Sequence, residues 1–160
     1  MTHTNEYRVM QNPALGSLCL LAFIQRYWNE SKRTTGAPFA LLPSVLPLTF
    51  HRETVRLLHA RRFNGGLLNA LADDQTFPVG LQQRMEDMLG QTYEALNIGF
   101  AARLFTLNAT EHTLVPTVLT RPQFNETTLH REMFATAERL ACWYRVYPLG
   151  QICGYLKLRF

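Results

Sequence analysis

Apolar residues crowd almost every position near the start of the chain, and a later apolar segment gives way without a linker to a basic one. From Asn12-Pro13 onward, Leu15, Leu18, Cys19, Leu21, Ala22, Phe23 and Ile24 cover nearly the whole circumference of a helix expected to run to about Glu30. Asn12 suits its start because its side chain accepts a hydrogen bond from an orphan N–H, and Pro13 has no N–H to lose at the first helical position. A helix that is apolar all round is a central core helix or half of an interface. Ser31–Pro38, SKRTTGAP, reads as a loop. Pro43 and Pro47 argue against one long helix through Leu41–Phe50 and predict short helical turns instead. From His51 the helical pattern returns, with Val55 and Leu58 inward and Arg52, Arg56 and His59 outward, until Asn64-Gly65-Gly66. Leu67–Ala72 then predicts one short helix, closed by Asp73-Asp74.

In the second half, Leu81, Met85, Met88, Leu89, Thr92 and Leu96 recur at spacings of three and four, with Gln82, Gln83, Glu86, Asp87 and Glu94 between them. This predicts the clearest amphipathic helix of the chain, continuing to Ile98–Arg103 despite Gly99. Leu104–Leu107 and Thr113–Val118 are β-prone runs around the polar turn Asn108–His112, a hairpin closed by Pro116 and Pro122. A last long helix begins near Asn125–Thr128, carries Leu129, Met133, Ala137, Leu140, Ala141 and Tyr144 on one face, and is expected to end at Pro148. Ile152–Leu158 fits either a short helix or an edge strand. Helices followed by a hairpin predict a mostly α fold with a minor β part, a winged helix-turn-helix-like helical domain with a small β-hairpin wing.

Composition narrows this only slightly. The 160 residues suffice for one well-buried core and are expected to form a single unit over residues 1–160. The 47% hydrophobic and 18% charged content is globular, and a net charge of +4 is a modest pull toward acidic partners. Cys19, Cys142 and Cys153 are odd in number and widely spaced, so they read as buried small hydrophobes instead of a disulfide or zinc framework. The uncharged run Pro13–Gln25 is about half the ~20 residues a spanning helix needs. Glu6 before it and bulky Gln25–Trp28 after it do not suit a secretory signal. A soluble cytoplasmic protein without membrane partners is the expectation.

Catalytic chemistry is not encoded at any recognisable spacing, and no cofactor or metal is expected. His51, Glu53 and His59, or His130 with Glu132, match no hydrolytic zinc motif, and His51 and His59 stand about two helical turns apart. Asn64-Gly65-Gly66 lacks the Lys-Ser/Thr that would complete a phosphate loop. Arg52, Arg56, Arg61 and Arg62 with His59 form the densest basic stretch and are the candidate DNA contacts, of the phosphate-binding and not the base-reading kind. The stripe is imperfect, since Arg52 and Arg56 share a face while Arg61 and Arg62 diverge. The hairpin turn has Glu111 and no Lys or Arg, and Gln82, Gln83 and Arg84 are followed by Glu86 and Asp87, which repel DNA. Both features favour protein contact. Pro43, Leu46, Pro47, Leu48 and Phe50, with Phe23, Tyr27 and Trp28 as a second cluster, are the expected partner-binding residues, because together they exceed what a small domain easily hides.

The chain resembles the middle component of the three-component ABC-ATPase systems, the small subunit of Lamassu-type anti-phage defence. The likeness rests on the opening Asn12-Pro13-Ala14-Leu15-Gly16, on Leu41–Leu58 with Leu46-Pro47-Leu48 before His51-Arg52, and on the closing Ala137-Glu138-Arg139-Leu140, Trp143 and Leu156-Lys157-Leu158-Arg159-Phe160. With the hairpin region it extends over nearly the whole chain. Departures are Cys142 before Trp143, where a small residue is common, and the Leu-Lys-Leu-Arg-Phe close, which put C-terminal contacts in doubt. The resemblance implies a non-catalytic winged-helix adaptor between an SMC-like ABC ATPase and an effector, often a nuclease, coupling DNA sensing to effector release. A free-standing winged-helix DNA-binding regulator is the alternative, expected to bind a short duplex as a homodimer.

Overall fold

The computed structural model describes residues 12–159, so Glu6 and Phe160 lie outside the described residues. Helix α1, Pro13–Glu30, starts as its sequence predicts: the Asn12 side chain accepts the Leu15 N–H at 3.1 Å, and Pro13 follows in the first turn. Leu15, Cys19, Leu20, Leu21, Ala22, Phe23 and Ile24 are all buried. The helix is central to the core, with α6 and α7 (below) as its most extensive neighbours. Of the two readings open to an all-apolar helix, the first is the one realised.

The stretch read as a loop contains a short strand. β1, Ala37–Pro38, pairs antiparallel with β3. Two residues carry no alternation, so the strand leaves no periodic trace. Its cause is a close approach: a Cβ on Gly36 would stand 2.7 Å from the Leu114 carbonyl oxygen, and only glycine lets the backbones meet there. A 3₁₀ helix, Phe39–Ser44, and the one-turn α2, Val45–Thr49, are the short turns imposed by Pro43 and Pro47.

Helix α3 spans Arg52–Leu58, shorter than its pattern suggests. His51 caps it, its Nδ1 lying 2.8 Å from Thr54 Oγ1 and accepting the Thr54 N–H at 3.4 Å. Beyond Leu58, two carbonyls of the following segment accept from side chains of α7, Thr128–Tyr144. Arg139 Nε donates to the Arg61 carbonyl at 2.6 Å and Trp143 Nε1 to the Phe63 carbonyl at 2.9 Å. A 3₁₀ turn, Phe63–Gly65, leads into α4, Gly66–Asp73.

The single amphipathic helix expected from Leu81 onward is two helices: α5, Leu81–Asp87, and α6, Leu89–Ala101. Met88, at φ −97° and ψ 3°, breaks the ladder. The break lets α5 pack on the Phe39–Thr49 segment while α6 packs on α1. The three-to-four spacing continues across the joint because both helices bury one face, so periodicity alone does not expose it.

Strands β2, Phe105–Asn108, and β3, Thr113–Pro116, form the predicted hairpin, with Leu107 opposite Leu114. The sheet order is β1-β3-β2. Gly99 brings α6 onto β2, since any Cβ there would collide with the Phe105 ring. Helix α7, Thr128–Tyr144, opens with a capping box in which Thr127 and His130 each accept the other's backbone N–H. It ends at Tyr144, before Pro148, which instead precedes α8, Leu149–Leu156. The ambiguous C-terminal segment is therefore helical. The fold is mostly α with a small three-stranded antiparallel sheet, and its buried apolar residues form a contiguous cluster including Trp143, Tyr144, Phe23, Phe105 and Phe134.

Candidate interaction surfaces

The apolar residues expected to face a partner largely face inward. Leu46, Pro47, Leu48, Phe23 and Tyr27 are buried within the chain itself, while Pro43, Phe50 and Trp28 are half-buried. The expectation of an apolar surface over Leu46–Leu48 and Phe23–Tyr27 is corrected: α2 wedges between α1 and α7, and these side chains complete one core. The sequence shows how much apolar area exists but not that two elements on either side of α2 cover it. Phe50 does reach a small open cleft, about 10 Å³, lined also by Asn12, Pro13, Gly16, Leu46, Gln91 and Glu94.

The four arginines proposed for DNA sit differently from one another. Arg52, Arg56 and Arg62 are exposed and Arg61 is half-buried. Arg56 Nη2 donates to Glu53 at 2.8 Å one turn away, and that hydrogen bond holds the Glu53 carboxyl below the usual carboxylate range. Arg61 pairs with Asp73 of α4. Arg56 and Arg61 thus each lie beside an acid of this chain. The Gln82 and Gln83 amides donate to Glu86 and Asp87 at 2.7 and 2.8 Å, which occupies the groups best suited to read bases.

Phe63 is the side-chain junction that sequence reasoning missed. The guanidinium carbons of Arg26 in α1 and Arg139 in α7 lie 4.0 and 4.3 Å from the centre of its ring. Arg26 also pairs with Glu30 at 2.6 Å, and burial lowers the pKa of Arg139. Two cations share one aromatic face system because the Arg61–Phe63 backbone is anchored to α7 beneath it. The only trace in the sequence is an aromatic directly after two arginines; the other two cations are distant in the chain.

Arg84 is a second unusual cation. Its Nη1 donates to the Val79 carbonyl at 3.0 Å, Nε and Nη2 are buried without a partner among the described residues, and burial lowers its pKa. Its charge and the burial of His51 together lower the His51 pKa, with burial the larger cause.

Three of the histidines have structural partners. His51 and His130 cap helices, and His59 lies 3.9 Å from Glu132 across α3 and α7. Among the described residues no group of three or more His, Cys, Asp or Glu side chains is arranged to hold a metal ion. Cys19 is buried and its thiol is pushed up to about 12 by that burial; Cys142 and Cys153 are half-buried, short of the full burial expected, and are also raised. None of the three has the depressed pKa of a reactive thiol. No helix among the described residues is long and apolar enough to cross a membrane.

Helices packed around a small antiparallel sheet define a mostly α protein with a minor β part. The sequence model of the ABC-three component (ABC-3C) system Middle Component 3 family matches residues 2–160, and the chain belongs to that family. It is thus one component of a multi-component ABC system and has protein partners. No curated protein and no solved structure matches the chain.

Proposed function

We infer that the chain is a non-catalytic adaptor in an anti-phage defence complex. In this reading it links an SMC-like ABC ATPase to an effector, often a nuclease, and helps couple DNA sensing to effector release. The observation that carries it is the match to the ABC-three component system Middle Component 3 family over residues 2–160. The chemistry of the surface supports the non-enzymatic part. His51 and His130 serve as helix caps, and all three thiols are raised toward the unreactive form. A run of helices directly ahead of the β2–β3 hairpin supports the winged-helix description.

A direct DNA role is secondary in this account. Arg56 and Arg61 have acids beside them, so phosphate contact there competes with existing ion pairs and falls mainly to the assembled complex. The cytoplasm is the compartment such a complex requires, and no cofactor enters the adaptor's work.

Recovery of the tagged chain at native expression from its own operon tests the reading, with the mass of the assembly as readout. Co-recovery of a large SMC-like ATPase and an effector-sized protein is the expected result. Recovery of the chain without either, together with selective binding of a short duplex by a homodimer, overturns it in favour of a winged-helix regulator.

A further inference from the structure

β1 and β2 each run antiparallel to β3, so they run parallel to each other and start at the same end of the sheet. The segment leading into β1 contains Lys32 and Arg33, and Arg103 stands just before β2; all three are exposed. All three also take the left-handed backbone conformation, at φ 55°, 61° and 55°, which glycine adopts more readily. The Lys32–Arg33 tip is fixed onto the end of α1. The Arg33 N–H donates to the Trp28 carbonyl at 2.9 Å, the Ser31 hydroxyl accepts the Thr35 N–H at 3.1 Å, and the Thr34 hydroxyl donates to the Ser31 carbonyl at 2.6 Å. At Arg103 the carbonyl accepts from the Thr117 hydroxyl, which joins the start of β2 to the end of β3. No acidic residue lies between Glu30 and Glu53, between Glu94 and Glu111 or between Glu111 and Glu126. The segments before β1, before β2 and after β3 therefore reach this end of the sheet without one. Glu30 at the end of α1 is paired with Arg26, and Glu111 stands in the turn at the opposite end of the hairpin. Among the described residues no ion pair reaches Lys32, Arg33 or Arg103.

We propose that this end of the sheet binds the phosphate backbone of duplex DNA, with Lys32, Arg33 and Arg103 as the contacts. A cation at a helix C-terminus is favoured by the dipole, which suits Lys32 after α1 and Arg103 after α6. The dipole does not require that both helix ends open at one end of the sheet, that Arg33 be added, or that acids be absent from all three segments. Exposed charges on a fixed backbone suit phosphate, which is met at the surface by charge and hydroxyls without base reading. A protein partner is instead anchored by apolar or aromatic side chains in closed pockets, and Lys32–Thr35 offers only two cations and two hydroxyls. The site is separate from the Arg52–Arg62 stretch, where Arg56 and Arg61 sit beside acids. The proposal rests on the adaptor reading and deepens it by naming where this chain meets the DNA that the complex senses.

Fluorescence anisotropy of a labelled mixed-sequence duplex with the complex purified from its operon, over a range of salt concentrations, tests the proposal. Lys32→Gln, Arg33→Gln and Arg103→Gln together weaken binding about tenfold or more and lower the slope of log affinity against log salt by about three, roughly one per phosphate contact. Lys157→Gln removes one charge from the same backbone conformation, φ 56°, at the end of α8 and leaves both quantities unchanged. A triple-variant complex that assembles and binds the duplex as the wild type does overturns the proposal and leaves the adaptor reading intact. A loss with Lys157→Gln equal to that with Arg33→Gln reduces the effect to net charge and also overturns it. Loss of a partner component from the triple variant, read by mass, assigns the cations to an acidic protein surface and overturns the DNA contact. A wild-type complex that leaves the duplex free overturns the proposal together with the DNA-sensing part of the adaptor reading, and a wild-type chain recovered without partners overturns both in full. If the triple variant does not fold by circular dichroism, Arg33→Gln alone, with an expected slope change of about one, decides.

Discussion

The apolar segment Leu41–Phe50 and the basic stretch Arg52–Arg62 adjoin in sequence, yet the structure treats them oppositely. The apolar part is drawn under α1 and α7, with Leu48 fully buried. The basic part buries only Thr54, Val55 and Leu58 and keeps its arginines at the surface, Arg56 and Arg61 beside acids of the same chain. Density of apolar residues therefore measures what must be covered, and it does not say whether the cover is the chain or a partner. Here α2 is short enough to be enclosed from both sides.

The sharpest way to break the comparison is in the apolar part. Leu48→Ala should lower stability by about 3 kcal/mol in urea unfolding, as large-to-small changes in a closed core do. A change near zero would mean that the segment faces outward after all. Just after the basic part, Phe63→Leu keeps an apolar side chain but removes the ring shared by Arg26 and Arg139. A loss of about 1 kcal/mol is expected, together with faster amide exchange over residues 59–65.

His51, between the two parts, gives a smaller, pH-dependent effect. Its folded pKa lies below 6.5, so unfolding takes up a proton as pH falls. Its contribution is whole above pH 6.5 and is lost as pH drops through the folded value. The melting temperature should therefore fall more steeply on acidification for the wild type than for His51→Asn, which keeps a capping acceptor and does not titrate. The smallest effect belongs to Arg56→Ala: an exposed pair within one helix should leave the urea midpoint unchanged.

The two parts also differ in how legible they were. Pro43 and Pro47 announced short helical turns, and Asn12-Pro13 announced the start of α1, because backbone restrictions act locally. The hairpin was visible for the same reason. The strand Ala37–Pro38 was not, since two residues hold no alternation and the strand exists only through β3. The break at Met88 was hidden because α5 and α6 bury the same side of one continuous pattern. The burial of Leu46–Leu48, Phe23 and Tyr27 and the Phe63 junction escape the sequence for a shared reason: each depends on what lies across the fold, Arg139 and Trp143 being some eighty residues away.

The burial of α1 on every side also sets an order of events during synthesis. Its largest neighbours, α6 and α7, are made after it, and α7 ends only at Tyr144. At typical rates of translation the nascent chain carries an uncovered apolar helix for roughly 10 s before its last wall exists. Such a helix is a binding site for chaperones and for other nascent chains, so yield should depend on whether partner components are being translated nearby. Contacts so distant in sequence also slow closure of the core, because the loop must be drawn together before burial compensates for it.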